Sequence, residues 1–185
     1  MLECVPDVLS PAEVEKTVAV MTASDFVDGK TTAGFRAKRV KHNQQLGRNT
    51  PSRDEIDKLI MDKLRGSALF QRLAMPRMIN TPLFSRYREG MEYGLHVDDA
   101  TMGKHAMRTD VSVTVFLNHP HHYEGGELEI QSPFGVQHVK LPAGAAVVYP
   151  SSTLHRVLPV TKGERLAAVT WVQSKIRDPL RREML

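Results

Sequence analysis

Val111-Ser112-Val113-Thr114-Val115-Phe116-Leu117 is the stretch that indicates the fold class most directly. Valine alternates along it with other residues, and a period of two is that of a β-strand whose side chains point in turn to opposite faces of a sheet. A shorter alternation covers residues 83–87, just after Pro82. We therefore predict that the chain beyond Pro82 is built from strands.

Turn-forming residues divide the rest of the chain into short segments of similar length. Gly125-Gly126, Pro150 and Lys162-Gly163 are examples. The segments between the turns predict strands over residues 127–131, 137–141, 145–149, 154–158 and 165–172. Many short strands with such spacing favour an antiparallel sandwich or barrel, a class to which the jelly roll belongs.

The chain before Pro82 has the patterns of helices. Ser10 to Glu13 is a capping-box sequence with Pro11 at the first helical position, and Ser52 to Glu55 repeats the box. Gly66 is placed to end the second helix, and residues 67–73 predict a third, short one. We expect an α+β fold in which a helical support region, residues 1–80, packs on a jelly-roll core, residues 81–185, as one structural unit.

Composition indicates an ordinary globular protein. The chain has 185 residues, of which 41% are hydrophobic and 25% charged. It contains no run of the roughly 20 apolar residues that a membrane helix needs and shows no signal-peptide pattern at Met1. Its single cysteine, Cys4, cannot form an internal disulfide. These features predict a cytoplasmic protein without a membrane partner.

A net charge of +4 raises the question of nucleic acid as a partner. The positive charges concentrate in two clusters, which are Arg36, Lys38, Arg39 and Lys41, and Arg177, Arg181 and Arg182. Aromatic residues are not interleaved with them, so we interpret both clusters as solvated faces and do not expect a nucleic-acid partner.

His96-Val97-Asp98 carries the most specific chemical signal. Residues i and i+2 of an extended segment point the same way, so an imidazole and a carboxylate lie side by side. If folding brings His155 to them, the three residues form a 2-His-1-carboxylate face, which is diagnostic of non-haem Fe(II) oxygenases. A metal site formed by His96, Asp98 and His155 is the central hypothesis.

Arg165 lies ten positions after His155 and begins the last predicted strand. Ala167, Val169 and Trp171 share its side of that strand, so the pattern predicts a buried cation that needs a partner. A bidentate carboxylate ligand would complement it. A salt bridge to an internal carboxylate, or a strand end in water, are the open alternatives.

Together these residues resemble the Fe(II)- and 2-oxoglutarate-dependent dioxygenases of the prolyl/lysyl hydroxylase-domain (PKHD) type, especially the bacterial subgroup often linked to iron uptake. The resemblance covers essentially the whole chain. The motifs that carry it are Asn43-Gln-Gln45, Tyr87, Gly94-Leu-His96-Val-Asp98, Arg108-Thr-Asp110-Val-Ser-Val-Thr-Val-Phe-Leu117-Asn118, Tyr123-Glu-Gly-Gly-Glu-Leu128, Val139-Lys-Leu-Pro-Ala-Gly144, Val148-Tyr-Pro-Ser-Ser152, Leu154-His155 and Trp171-Val-Gln-Ser174.

The resemblance implies a double-stranded β-helix with Fe(II) bound by His96, Asp98 and His155. It also implies 2-oxoglutarate held through its distal carboxylate by Arg165, with Tyr87 lining the co-substrate pocket. The implied reaction consumes O2 and yields succinate, CO2 and a hydroxylated substrate, with ascorbate keeping the iron reduced. The substrate would be a peptidyl residue or a small metabolite. A homo-oligomeric state is an open alternative to a monomer.

Two other functions stay open at this point. A cupin-like metal-binding barrel acting as a sensor or isomerase would need the metal triad but no dicarboxylate partner. A nucleic-acid demethylase would use the same chemistry and bind strands in a salt-dependent way. Elsewhere, His119-Pro120-His121-His122 is interpreted as a polar loop before the glycines, Asp99 as an exposed or supporting residue, and Arg108 and Asp110 as an ion pair.

Overall fold

The computed structural model describes the chain except residues 33, 35, 36, 104, 105, 133, 134 and 185, so Arg36 of the first basic cluster lies outside the described residues. Among the described residues there are four α-helices, α1 to α4 in chain order, which are Pro11–Thr22, Arg53–Gly66, Ala68–Ala74 and Pro179–Glu183. Short 3₁₀ turns cover Gly29–Thr32, Ala37–Arg39 and Pro120–His122.

Seventeen strands, β1 to β17 in chain order, make up the rest of the regular structure in the described ranges. They are Glu3–Val5, Phe26–Asp28, Lys41–His42, Gln44–Leu46, Pro76–Ile79, Leu83–Tyr87, Glu92–His96, Thr101–Met102, Met107–Arg108, Val111–Phe116, Tyr123–Gly125, Leu128–Ser132, Gly135–Val139, Ala146–Pro150, His155–Val157, Val160–Gly163 and Arg165–Ser174.

Two antiparallel sheets face each other and form the core. The larger has the order β1-β14-β10-β17-β6-β4-β2, with β5 also paired to β17, and the smaller has the order β13-β12-β15-β7-β3. Helices α1 to α3 cover the outer face of the larger sheet through an apolar layer that includes Met21, Ile56, Ile60, Leu64 and Phe70. The central neighbours β14-β10-β17-β6 and β12-β15-β7 are distant in sequence, which is the arrangement of a jelly roll, and the predicted double-stranded β-helix is confirmed.

Strand β10 runs through the centre of this arrangement, and every one of its residues is buried. Its three valines pack towards the helices, whereas Phe116 packs between the two sheets. Ser112 and Thr114 share the side of Phe116, so the alternation seen in the sequence separates an apolar face from a face that turns towards the space between the sheets.

The helix starts agree with the sequence patterns in one case and differ in the other. The Ser10 hydroxyl accepts a hydrogen bond from the Glu13 amide, and the Glu13 carboxylate accepts one from the Ser10 amide, so the first capping box is confirmed. The second is wrong: Ser52 lies in the left-handed region with φ of 59° and makes no side-chain cap. A left-handed residue cannot present its hydroxyl to the first turn in the way that an extended cap does.

The two basic clusters were interpreted as solvated faces, and for one member of each the structure shows otherwise. Arg182 is buried because its guanidinium donates to the backbone carbonyls of Ile176, Arg177 and Asp110, which ties α4 to the core. Lys41 is buried as well. In both cases the long side chain is buried although its two sequence neighbours are exposed, which charge patterns alone do not show.

The first 80 residues also contribute strands β1 to β5, each of two to four residues, in addition to helices α1 to α3. Strand β3 joins the smaller sheet, and the others join the larger one. The division at residue 80 stays a prediction. Within the part of the chain that the structure describes, no helix has the length and apolar character needed to cross a membrane.

Candidate metal centre

Folding brings His96, Asp98 and His155 to one point between the sheets. His96 ends β7 and His155 begins β15, and the two residues are directly paired across these neighbouring strands. One oxygen of Asp98 lies 3.9 Å from His96 Nε2 and its other oxygen lies 3.9 Å from His155 Nε2. Ligand atoms of the three residues lie within 4.8 Å of one another, which is close enough to share one ion.

Backbone carbonyls orient both imidazoles. His96 Nδ1 lies 2.8 Å from the Gly94 carbonyl oxygen, and His155 Nδ1 lies 2.9 Å from the Thr153 carbonyl oxygen. Since a carbonyl can only accept, each Nδ1 carries a hydrogen, and in the neutral ring the lone pair is then on Nε2, which faces Asp98. This is the tautomer that a metal ligand requires.

Ser112 from β10 completes the polar contacts of the carboxylate. Its hydroxyl donates to Asp98 Oδ2 at 2.5 Å and lies 2.8 Å from the Ser151 hydroxyl. Because Ser112 has one hydroxyl hydrogen and the carboxylate takes it, Ser151 donates to Ser112. A chain of two hydroxyls thus holds the orientation of Asp98.

Burial shapes the electrostatics of the site. It lowers the pKa of the His96 imidazole to about 4, and the charge of the neighbouring His155 acts in the same direction. The ring of Tyr93 stacks on His96 with centroids 3.6 Å apart and covers it from one side. Burial also raises the pKa of the Tyr93 and Tyr149 hydroxyls, and the Asp98 carboxylate adds to both shifts. The site therefore presents a neutral His96 imidazole, neutral phenols and a carboxylate, which suits a divalent cation.

Arg165 begins β17 and is 1% exposed. Its guanidinium carbon lies 5.2 Å from the centre of the Tyr87 ring and 5.3 Å from that of Phe116. Among the described residues no carboxylate lies within salt-bridge distance of it, and its Nε has no hydrogen-bond partner. Both open alternatives, an internal salt bridge and a solvated strand end, are thus excluded for the described part of the chain, and the cation faces a cavity that it shares with the metal ligands.

Tyr87 ends β6 and pairs directly with Arg165, so the two side chains point to the same side. Burial raises the pKa of the Tyr87 hydroxyl, while the Arg165 cation opposes that shift. The placement agrees with the pocket-lining role that the resemblance implies for Tyr87. Trp171 lines the same cavity, and its indole N–H has no partner among the described residues.

Lys41, Asn43 and Gln45 form a polar stripe that lines the same cavity. They occupy alternate positions of an extended segment, and all three are buried. Burial lowers the pKa of the Lys41 ammonium to about 8, although the carboxylates of Asp98 and Asp28 oppose it. Sequence reasoning missed Lys41 and Ser112. The signal that would have found them is polar side chains at every second position of a strand with apolar neighbours.

The other polar groups that the sequence singled out lie away from the ligand cluster or have local partners. Arg108 and Asp110 form the predicted ion pair at 2.7 Å. Asp99 is exposed at the rim of the cavity. His119 and His121 have ring centres 4.6 Å apart in a surface turn. Within the described residues, the ligand atoms of His96, Asp98 and His155 are the set close enough to hold a metal ion.

The donor set fits Fe(II), and the buried guanidinium of Arg165 fits a carboxylate such as the distal one of 2-oxoglutarate. Two imidazole nitrogens and one carboxylate oxygen on one face leave the remaining positions of a ferrous ion open to other ligands. A buried guanidinium without an anion is costly, and a carboxylate at that place would compensate it. The first observation concerns the three metal ligands and the second concerns Arg165. Together they point to Fe(II) and 2-oxoglutarate as the bound pair.

Comparisons with known proteins agree with this geometry. The family model described as the 2OG-Fe(II) oxygenase superfamily matches residues 82–173. A PKHD-type hydroxylase of Picosynechococcus sp. is 51% identical over 98% of this chain and 82% of its own length. Among solved structures, a Pseudomonas putida prolyl-4-hydroxylase matches 95% of this chain and 93% of that chain with a TM-score of 0.66 at 22% identity. A Trichoplax adhaerens prolyl hydroxylase in complex with a peptide fragment of hypoxia inducible factor has a TM-score of 0.65 at 15% identity, covering 99% of this chain and 86% of that chain.

Proposed function

Since this chain belongs to the PKHD-type hydroxylases of the 2OG-Fe(II) oxygenase superfamily, we propose that His96, Asp98 and His155 hold its Fe(II) and that Arg165 binds the distal carboxylate of 2-oxoglutarate. The protein is an Fe(II)- and 2-oxoglutarate-dependent hydroxylase. The observation that carries the residue assignment is a guanidinium without a carboxylate partner among the described residues, buried in the same cavity as three converging metal-ligand side chains.

The bound iron supplies the activation of O2 by which oxidative decarboxylation of 2-oxoglutarate, to succinate and CO2, is coupled to hydroxylation of a C–H bond. The chain's own residues orient the co-substrate and the metal ligands and shield them from water. Arg165 fixes the far end of the co-substrate, and the rings of Tyr87 and Phe116 exclude water around that ion pair. The backbone carbonyls behind His96 and His155 hold the hydrogen of each ring on Nδ1, so that Nε2 is the atom aimed at the metal position.

The assignment is tested by anaerobic addition of Fe(II) and 2-oxoglutarate, which gives a weak visible charge-transfer band. We expect Arg165→Ala to weaken 2-oxoglutarate binding by about 100-fold or more, because it removes a buried two-point contact in which each hydrogen bond to a charged group contributes roughly 1.5–3 kcal/mol. Iron affinity measured without 2-oxoglutarate should change little, whereas His96→Ala should lose it.

Arg88→Ala is the matched control, because it removes the same charge from an exposed side chain paired with Glu164. Arg165→Lys is a conservative second variant, which keeps the buried charge but loses the planar fork. It should bind 2-oxoglutarate with intermediate affinity, which a misfolded protein would not do. Equal 2-oxoglutarate affinity in Arg165→Ala, Arg88→Ala and the unchanged protein would exclude the assignment of Arg165.

The substrate is a small molecule or a peptide, as the family suggests. Cytoplasmic location and ascorbate as the reductant stay predictions. The exposed, unpaired Cys4 supports a reducing compartment. Succinate release measured with and without ascorbate over repeated turnovers tests the role of ascorbate.

A further inference from the structure

The proposed mechanism leaves one buried cation without a role. Lys41 begins β3, at the edge of the smaller sheet, and is 6% exposed. It is paired with Tyr93 of β7, and directly paired residues of antiparallel strands point to the same side. The Lys41 ammonium therefore lies above the Tyr93 ring, 5.1 Å from its centre, and Tyr93 is stacked on the metal-ligand imidazole of His96.

The hydrogen bonds of this ammonium are incomplete. Its one described partner is the Thr32 hydroxyl at 3.3 Å, and no carboxylate oxygen of the described residues lies within 4.0 Å of it. The Thr32 hydroxyl in turn donates to the Gln45 side chain, which fixes its direction. An ammonium has three hydrogens to donate, so at least one is available to a ligand in the cavity that Lys41 lines.

The buried charges also leave an excess at Lys41. Lys41 and Arg165 are buried cations of the cavity, and Asp98 is its buried anion. The two charges of Fe(II) and those of 2-oxoglutarate cancel each other, so one positive charge remains uncompensated. The carboxylates of Asp28 and Asp99 are exposed, where water and salt screen their effect on a buried group.

We propose that Lys41 is the subsite for a carboxylate of the hydroxylase's substrate, which enters beside Tyr93 and pairs with the buried ammonium. The inference rests on the proposed function of the site. The single positive charge of the ammonium balances a single negative charge. A phosphate carries nearly two charges and is better matched by the fork of an arginine, so the site favours a carboxylate. The hydroxylase would thus act on a carboxylic acid rather than on its neutral amide.

The test uses the full chain loaded with Zn(II) in place of Fe(II) and saturated with 2-oxoglutarate, so that ligands bind without turnover. The probes are N-acetylglycine, N-acetyl-L-alanine and N-acetyl-L-proline, each compared with its own carboxamide, and affinities come from amide chemical shifts in NMR titrations. We expect the acids to bind about tenfold or more tightly than the amides, in line with the roughly 1.4 kcal/mol per factor of ten that one hydrogen bond to a charged group supplies.

In Lys41→Met the preference should fall below about threefold, because the methionine has a similar shape without the charge, and Lys41→Arg should keep part of it. Lys30→Met is the matched control, since Lys30 is exposed in the same 3₁₀ turn as Thr32, and it should retain the full preference. Affinity for 2-oxoglutarate should stay within threefold in Lys41→Met, which distinguishes a substrate subsite from a second contact to the co-substrate.

Three results would overturn the proposal: no preference for acids in the unchanged protein, the same preference in Lys41→Met, or a parallel loss of 2-oxoglutarate affinity. Tighter binding of methyl phosphate than of acetate would also exclude the carboxylate assignment. The charge-transfer band and the effect of Arg165→Ala need no substrate, so the proposed function can hold while this inference fails.

Discussion

Ser112→Ala is the change that most directly tests how the fold holds the metal. The hydroxyl of Ser112 donates to Asp98 at 2.5 Å and receives a hydrogen bond from Ser151. Both serines are buried, so water cannot replace the lost contact. Hydrogen bonds to a charged group contribute roughly 1.5–3 kcal/mol, and removal of such supporting contacts typically lowers metal affinity about 10- to 100-fold. We expect a loss in that range for Fe(II).

The assay is an anaerobic Fe(II) titration with 2-oxoglutarate present, read from the charge-transfer band against a competing chelator. Ser151→Ala should have a smaller effect, because it acts on Asp98 only through Ser112. Ser174→Ala is the control for general damage, since Ser174 is a buried serine in the same larger sheet whose hydroxyl bonds the Met75 carbonyl. If Ser112→Ala binds Fe(II) within twofold of the unchanged protein, the hydroxyl does not orient the carboxylate and the reasoning is wrong.

Two further pairs of variants test the fold and the surroundings of Arg165. Ser10→Ala should lower the free energy of unfolding by about 1 kcal/mol, because a helix cap is lost. Ser52→Gly should leave that free energy unchanged or raise it, because the φ of 59° suits glycine and no cap is present. Urea titration measures the free energy of unfolding of both variants. Gly126→Ala should raise the KM for 2-oxoglutarate several-fold, since its new methyl group would lie 2.9 Å from Cγ2 of Val160 and 3.2 Å from Cδ of Arg165, which would displace the arginine. Gly90→Ala has a similar positive φ in open space and should leave that KM unchanged, so equal KM values for the two variants would contradict the contact.

The strands of the core could be predicted because they are long enough to show a period. Residues 165–172 were predicted, and the strand found is Arg165–Ser174. Four or more alternating residues distinguish a strand from a helix. Strands β1 to β4 have two or three residues, too few for a period to be seen, and the four residues of β5 do not alternate. They form because pairing with a distant strand satisfies their backbone groups, and that pairing is not encoded locally.

The metal ligands were predictable for a different reason. Their residue types are chemically restrictive, and the two-residue spacing of His96 and Asp98 survives in the structure as a common side of the segment. The burial of Lys41 in the site was not predictable, because a lysine among other cations on a short segment is usually solvated. Its burial depends on the pairing with Tyr93, 52 positions later in the chain, so nothing near Lys41 indicates it.

The two sheets contribute different halves of the site, and this has a consequence for its stability. The imidazoles come from paired positions of β7 and β15 in the smaller sheet, whereas Arg165 and Tyr87 are paired positions of β17 and β6 in the larger one. A ligand that joins the metal to Arg165 therefore bridges the sheets and should stabilise the pair of them against separation. Ser112, from the larger sheet, makes the one described side-chain hydrogen bond to Asp98, so the position of the metal depends on the distance between the sheets. Packing changes that separate the sheets should therefore weaken the binding of both iron and 2-oxoglutarate. Changes at Arg165 alone should weaken only the binding of 2-oxoglutarate.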